Sequence, residues 1–126
     1  MMKCLPNYIK FGLVFLLSVI TTSCRNIGDA TINVHVWEDI NGNQIQDSGE
    51  INLQGIDIQI LSSSNYTLWN RSTTNIEGML NEFAAGAICD EFLVVISVPG
   101  DYWPTTPVLR EIHNCEVAEF GLRPYP

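Results

Sequence analysis

The chain has 126 residues, enough for one domain with a modest core and too few for two. Six basic residues stand against fourteen acidic ones, a formal net charge of −8, which excludes the lysine- and arginine-rich surfaces that nucleic acids and anionic membranes require. A surface of this sign suits divalent cations instead.

The first stretch is not domain sequence. Met1 to Lys10 carries Lys3 and Lys10, Phe11 to Ile20 is a short apolar run, and together with Thr21-Thr22-Ser23 they read as a secretory signal peptide over residues 1–23. The apolar run is too short to span a bilayer. Thr21-Thr22-Ser23-Cys24 resembles the lipobox of bacterial lipoproteins, although an aliphatic residue is usual where Thr21 stands. That resemblance implies cleavage after Ser23 and acyl chains on Cys24, a membrane anchor at the bacterial cell surface; a plain secreted protein cut near the same place is the alternative. Removing 23 of 126 residues leaves 103, with four arginines against fourteen acids and a net charge near −10. Residues 24–29 form a short tether.

Thr31-Ile32-Asn33-Val34-His35-Val36-Trp37 alternates apolar and polar, which predicts a half-buried strand with Ile32, Val34 and Val36 on its inner face. The next twelve residues, Asp39 to Glu50, place side-chain oxygens at loop positions one (Asp39), three (Asn41), five (Asn43), nine (Asp47) and twelve (Glu50). Ile45 at position seven offers its backbone carbonyl. This is the ligand spacing of a calcium loop, since Ca2+ is a hard cation that takes six to eight oxygens. The helices of an EF-hand are missing, so the loop reads as a clip between two strands. Gln44 stands at position six, where glycine usually makes the sharp turn; a left-handed backbone there would cost a side chain roughly 1–2 kcal/mol. A solvated Asn/Asp/Gly loop without metal is the bland alternative.

Asn52-Leu53-Gln54-Gly55 reads as a turn and Ile56 to Ile60 as a second alternating strand. After Ser62-Ser63-Ser64-Asn65, Tyr66 to Arg71 is predicted as a strand and Ser72 to Gly78 as a turn. Met79 to Phe83 reads as a short strand. Phe92 to Val98 is the most continuously apolar segment, expected at the centre of a sheet and covered on both faces. Tyr102 to Pro107 is expected to be irregular because Pro104 and Pro107 cannot donate to a ladder. Val108 to Ile112 and Cys115 to Leu122 read as the last strands. About seven short strands, with no sustained helical period, predict an all-β sandwich of the immunoglobulin or prealbumin kind, over residues 30–124.

Of four cysteines, Cys4 lies in the signal and Cys24 is the lipid site, so Cys89 and Cys115 are expected to pair in an oxidising compartment. Closing that loop is worth roughly 3.5 kcal/mol on chain entropy. No enzyme is expected: neither His35 nor His113 has a serine or cysteine nucleophile placed beside it by the sequence, and Asp90-Glu91, Glu116 and Glu119 read as solvated edges. Among the aromatics, Trp37 and Tyr102 are expected to pack, whereas Trp69 and Trp103 are candidate contacts for a glycan or a surface protein.

Val36-Trp37-Glu38-Asp39, Asn41-Gly42-Asn43, Ile45-Gln46-Asp47, Gly49-Glu50 and Leu53-Gln54-Gly55-Ile56 resemble the B-type domain of serine-aspartate repeat adhesins, which is related to collagen-adhesin B-type domains. Thr73-Thr74 before Gly78, Pro99-Gly100-Asp101-Tyr102 and Phe120-Gly121-Leu122 resemble its later landmarks. The resemblance implies a calcium-rigidified sandwich on a bacterial surface, acting as spacer or adhesive module, with the metal held by Asp39, Asn41, Asn43, the Ile45 carbonyl, Asp47 and Glu50. Many collagen-adhesin relatives also carry an internal lysine-to-asparagine bond. No lysine follows Lys10, so that bond cannot form here.

Overall fold

Alternation decides which face of each strand is buried, and the computed structural model, which describes residues 28–84 and 91–126, follows it closely. The strands are β1 (Ala30–Glu38), β2 (Asp57–Ser62), β3 (Leu68–Thr73), β4 (Met79–Ala84), β5 (Phe92–Ser97), β6 (Tyr102–Pro104), β7 (Leu109–Ile112) and β8 (Val117–Pro124). No helix occurs among the described residues. The strands form two four-stranded sheets, in the orders β4-β1-β8-β6 and β3-β2-β5-β7. The chain is therefore an all-β sandwich, with one short strand more than the alternation pattern reveals.

Inner-face residues from both sheets make one core. Ile32, Val34 and Val36 of β1 join Ala118, Phe120 and Leu122 of β8, and from the other sheet Ile58 and Ile60 of β2 join Phe92, Val94 and Ile96 of β5. Each large apolar side chain removed from water there contributes about 1.5–3 kcal/mol. β5 sits between β2 and β7, as its apolar run predicts, and Leu93 on its other face is also buried.

β1 pairs antiparallel with β4 and parallel with β8, from Asn33↔Val117 to Glu38↔Leu122. Parallel neighbours need a long crossover, and here the whole second sheet lies between them in the chain. Trp37 is buried but is not part of the inter-sheet core. It lies on the other face of β1, where the His35 ring stacks on it at 5.6 Å. The chain returning from the loop runs back along the end of β1 through Glu38 N–H to Ile51 O (2.8 Å) and Leu53 N–H to Val36 O (3.0 Å).

Two local expectations differ from what is found. Tyr66 lies outside β3, with φ 57° and its ring exposed. Turn hydrogen bonds take it: its N–H donates to Ser62 O (2.9 Å), and Thr67 N–H donates to Asn65 Oδ1 (3.1 Å). Tyr102–Pro104, expected to be irregular, forms edge strand β6 against β8. Pro104 is accommodated because it is the last residue of an edge strand, where a missing N–H breaks no inner ladder. The signal segment, Cys24, most of the tether, and Ala85 to Asp90 with Cys89 lie outside the described residues.

Candidate functional site

Asp39 directly follows β1 and has no exposed surface. Its N–H donates to Leu122 O of β8 (2.8 Å), which fixes where the side chain enters the loop. Oδ2 accepts from Gln44 N–H (2.9 Å) and from the Thr105 hydroxyl (2.6 Å). Oδ1 is buried and has no hydrogen-bond partner. A buried ionised oxygen left unpaired is costly unless a cation or donor meets it.

The other expected ligands bond to one another and to the loop backbone. Asp47 Oδ2 accepts from Asn41 Nδ2 (2.7 Å) and Asn43 Nδ2 (2.8 Å). Glu50 closes the loop through both oxygens, accepting Ile40 N–H and Asp47 N–H at 2.7 Å each. Asn41 Oδ1 accepts from Asn43 N–H (3.2 Å) and Asn43 Oδ1 from Ile45 N–H (3.0 Å). The side chain of Ile45 is exposed. Gln44 does take the left-handed conformation that glycine would normally supply, with φ 67°, and Gly42 has φ 71°.

This donor set fits a hard cation in kind: carboxylate and amide oxygens within twelve residues, one of them, Asp39 Oδ1, buried and unpartnered. Among the described residues no three of His, Cys, Asp and Glu converge closely enough to hold a metal alone. A cation here would therefore depend on Asn41, Asn43 and backbone carbonyls as well. As placed, the two amides turn nitrogen toward Asp47, so the loop also has a hydrogen-bonded closure of its own. The chemistry a Ca2+ ion would supply is cross-linking of these oxygens.

Sequence reasoning missed Thr105, and it met Gly121 only as part of the Phe120-Gly121-Leu122 landmark, without its role. A Cβ on Gly121 would lie 2.5 Å from Thr105 Oγ1 and 3.1 Å from Asp39 Cβ, so only glycine leaves room for the Thr105–Asp39 contact. Thr105 N–H donates to Gly121 O (2.9 Å), and Gly121 N–H donates to Thr106 Oγ1 (3.1 Å), which locks the segment after β6 onto β8. The signals available were that landmark and the Thr105-Thr106 pair between two prolines.

The other candidates lie elsewhere. Trp69, 45% exposed, packs edge-on against Phe92 (5.7 Å). Trp103, 43% exposed, meets Tyr125 (5.5 Å) and carries the Arg123 guanidinium over its ring (5.9 Å). They occupy edge strands of different sheets and do not form one patch. Tyr102 packs against the core and donates its hydroxyl to Glu38 Oε2 (3.0 Å); burial, then Glu38, raises its pKa. His35 lies 2.8 Å from Asn52 Oδ1 and His113 lies 3.0 Å from Glu91 Oε1. His113 is held above its ordinary pKa chiefly by its hydrogen bond to Glu91. Among the described residues no cysteine is free.

The fold has solved counterparts. The shaft pilin spaA of Lactobacillus rhamnosus GG superposes with a TM-score of 0.56 at 14% identity, over 78% of this chain and 50% of that one. Its C-terminal domain alone matches at 0.56 and 11% identity, over 77% of this chain and 98% of that domain. The minor pilin of Streptococcus agalactiae matches at 0.54 and 7% identity, over 79% and 46%. The chain thus spans about half of the longer pilins and almost all of a single pilin domain, and at these identities the likeness is one of fold. No curated protein sequence matches the chain significantly. The model of the SdrD B-like domain family matches residues 26–110. With the sandwich and the loop in place, the chain belongs to the SdrD B-like domain family.

Proposed function

We propose that this protein is a non-enzymatic surface module, displayed outside a bacterial cell on a lipid at Cys24, whose Asp39–Glu50 loop is stiffened by a structural Ca2+. The observation that carries the calcium reading is the fully buried Asp39 carboxylate with one oxygen unpartnered. Family membership and the pilin folds support a structural role at the surface. Asp39, Asn41, Asn43, the Ile45 carbonyl, Asp47 and Glu50 would hold the ion. A Cys89–Cys115 bridge would brace the far end of the sandwich, in keeping with the lack of a free thiol among the described residues.

Mass action sets the size of the metal's contribution. With a Kd of about 0.1 mM and about 1 mM calcium, the gain is roughly 1.4 kcal/mol, or ~5–10 °C in Tm for a domain of this size. The test is a thermal melt of the purified protein with millimolar calcium and with excess chelator, repeated for Asp39→Ala. A calcium-dependent rise that the variant loses is expected. Equal melting in both buffers, with the Asp39–Glu50 amides equally protected from exchange, would overturn the metal reading.

A further inference from the structure

Beside the loop, on the outer edge of the first sheet, Ile40, Trp103, Arg123, Pro124, Tyr125 and Pro126 line an open groove of about 420 Å³. Trp103 and Arg123 face each other across the β6–β8 pair. The Trp103 and Tyr125 rings are tilted at 48° to one another and both remain about half exposed. Tyr125 N–H donates to Asp101 O (3.0 Å), so the segment after β8 is tied down where it forms the groove wall.

The three described arginines differ in how they are met: among the described residues Arg110 makes no ion pair, and its Nε is buried without a partner. Arg71 is clamped by Asp57 through two hydrogen bonds of 2.6 and 3.2 Å. Arg123 makes no ion pair among the described residues. Its guanidinium instead lies over Trp103, with Nη1 3.6 Å from where a Cβ on Gly42 would stand, and among the described residues it donates no hydrogen bond, so its N–H groups can serve a carboxylate.

We propose that this groove binds a carboxylated sugar, such as a uronic acid residue of an extracellular polysaccharide. The exposed ring surfaces of Trp103 and Tyr125 take the C–H face of the pyranose, and Arg123 takes the carboxylate. Charge complementarity selects this occupant. An aromatic platform alone suits any sugar, whereas an unpaired guanidinium set against it distinguishes the acidic one. The net charge of −8 works against long polyanions and anionic bilayers, so a ligand whose negative charge is spaced by neutral, stackable rings fits best. The volume lies in the range of small-molecule sites.

The test titrates the purified protein with a glucuronate-containing oligosaccharide, with its carboxyl-reduced neutral counterpart, and with a glutamate-rich peptide. Binding is followed by tryptophan fluorescence and by backbone amide shifts. The acidic sugar is expected to bind about tenfold more tightly than the neutral one. Arg123→Gln should bring its affinity down to the neutral level, Trp103→Ala should abolish binding, and Trp69→Ala should change nothing. Equal affinity for the two sugars, indifference to Arg123→Gln, a peptide that binds as tightly as the sugar, or no binding up to tens of millimolar would each overturn the proposal. An unchanged Tm for Arg123→Gln separates loss of the groove from loss of the fold. The calcium reading is tested separately by the Asp39→Ala melt; Arg123 lies beside Gly42 of the loop but is not among its ligands, and the sugar titrations are therefore run with and without calcium.

Discussion

At one end β1 runs into a loop holding Asp39, Asp47 and Glu50; at the other it is pinned to a turn flanked by Glu91, Glu111 and Glu116. The pinning is direct: Cys115 N–H donates to Thr31 O (2.9 Å), and Thr31 N–H donates to Asn114 Oδ1 (2.7 Å). Both ends carry three carboxylates, yet they are balanced differently. At the Cys115 end the charges are exposed and His113 answers them, 3.0 Å from Glu91 and 3.4 Å from Glu116. Glu111 is pushed up by its hydrogen bond to Glu91, and Glu91 is held down by Glu111 and His113. At the Asp39 end no basic side chain forms an ion pair with any of the three, among the described residues. One end carries its own paired counter-charge; at the other the Arg123 guanidinium lies beside Gly42 without pairing to any of the three carboxylates, and it is this end for which the calcium ion is proposed.

The sharpest way to break this contrast is to remove the room that the buried carboxylate needs. Gly121→Ala would push a methyl into Thr105 and Asp39, and overpacking of that kind costs about 1–3 kcal/mol. Its Tm should fall by several degrees, and its calcium-dependent shift should shrink with it. Thr105→Val, which removes only the hydroxyl that donates to Asp39, should cost about 1–3 kcal/mol in a urea melt with chelator, with Thr105→Ser restoring most of it. If both variants melt like the parent, the Asp39 pocket is not a stability determinant and the contrast between the two ends collapses.

A smaller effect sharpens the contrast in the other direction. Gln44→Gly relieves a side chain held at φ 67° and should tighten calcium binding by about fivefold to tenfold in isothermal titration. A weaker affinity would mean that Gln44 serves the loop as it stands.

The smallest effect belongs to the Cys115 end. His113 has a raised pKa in the fold, so its stabilisation is fully present below its ordinary value of about 6.5 and is lost as pH climbs through the raised one. Because its side chain is more than half exposed, solvent screening keeps the effect small. Tm should drift down by ~1–2 °C between pH 6 and pH 8, and His113→Gln should flatten that drift. A rise in Tm over the same range would reverse the assigned sign.

Much of this was readable in the chain because it is local. The spacing from Asp39 to Glu50 lies within twelve consecutive residues, and the alternation of Ile32, Val34 and Val36 lies within one strand. What escaped was set by pairing across long separations. Thr105 is 66 positions from the carboxylate it holds, and nothing near it in sequence signals the contact. Gly121 looks like an ordinary strand glycine until β8 lies beside β1. Tyr66 has the character of a strand residue, yet the turn bonds from Ser62 and Asn65 outweigh that preference. Pro104 argued against a ladder, and only the position of β6 at a sheet edge makes it harmless.

The parallel register of β1 and β8 also has a mechanical meaning. β1 begins at the Cys115 end and β8 finishes at the loop end, so the two chain ends leave the domain from opposite poles. Tension between an N-terminal anchor and anything gripped at the far end would run along both strands. It would load the rungs from Asn33 to Glu38 together, in shear, instead of peeling them apart one after another. The groove of Trp103 and Arg123 lies beside the strand that would take that load.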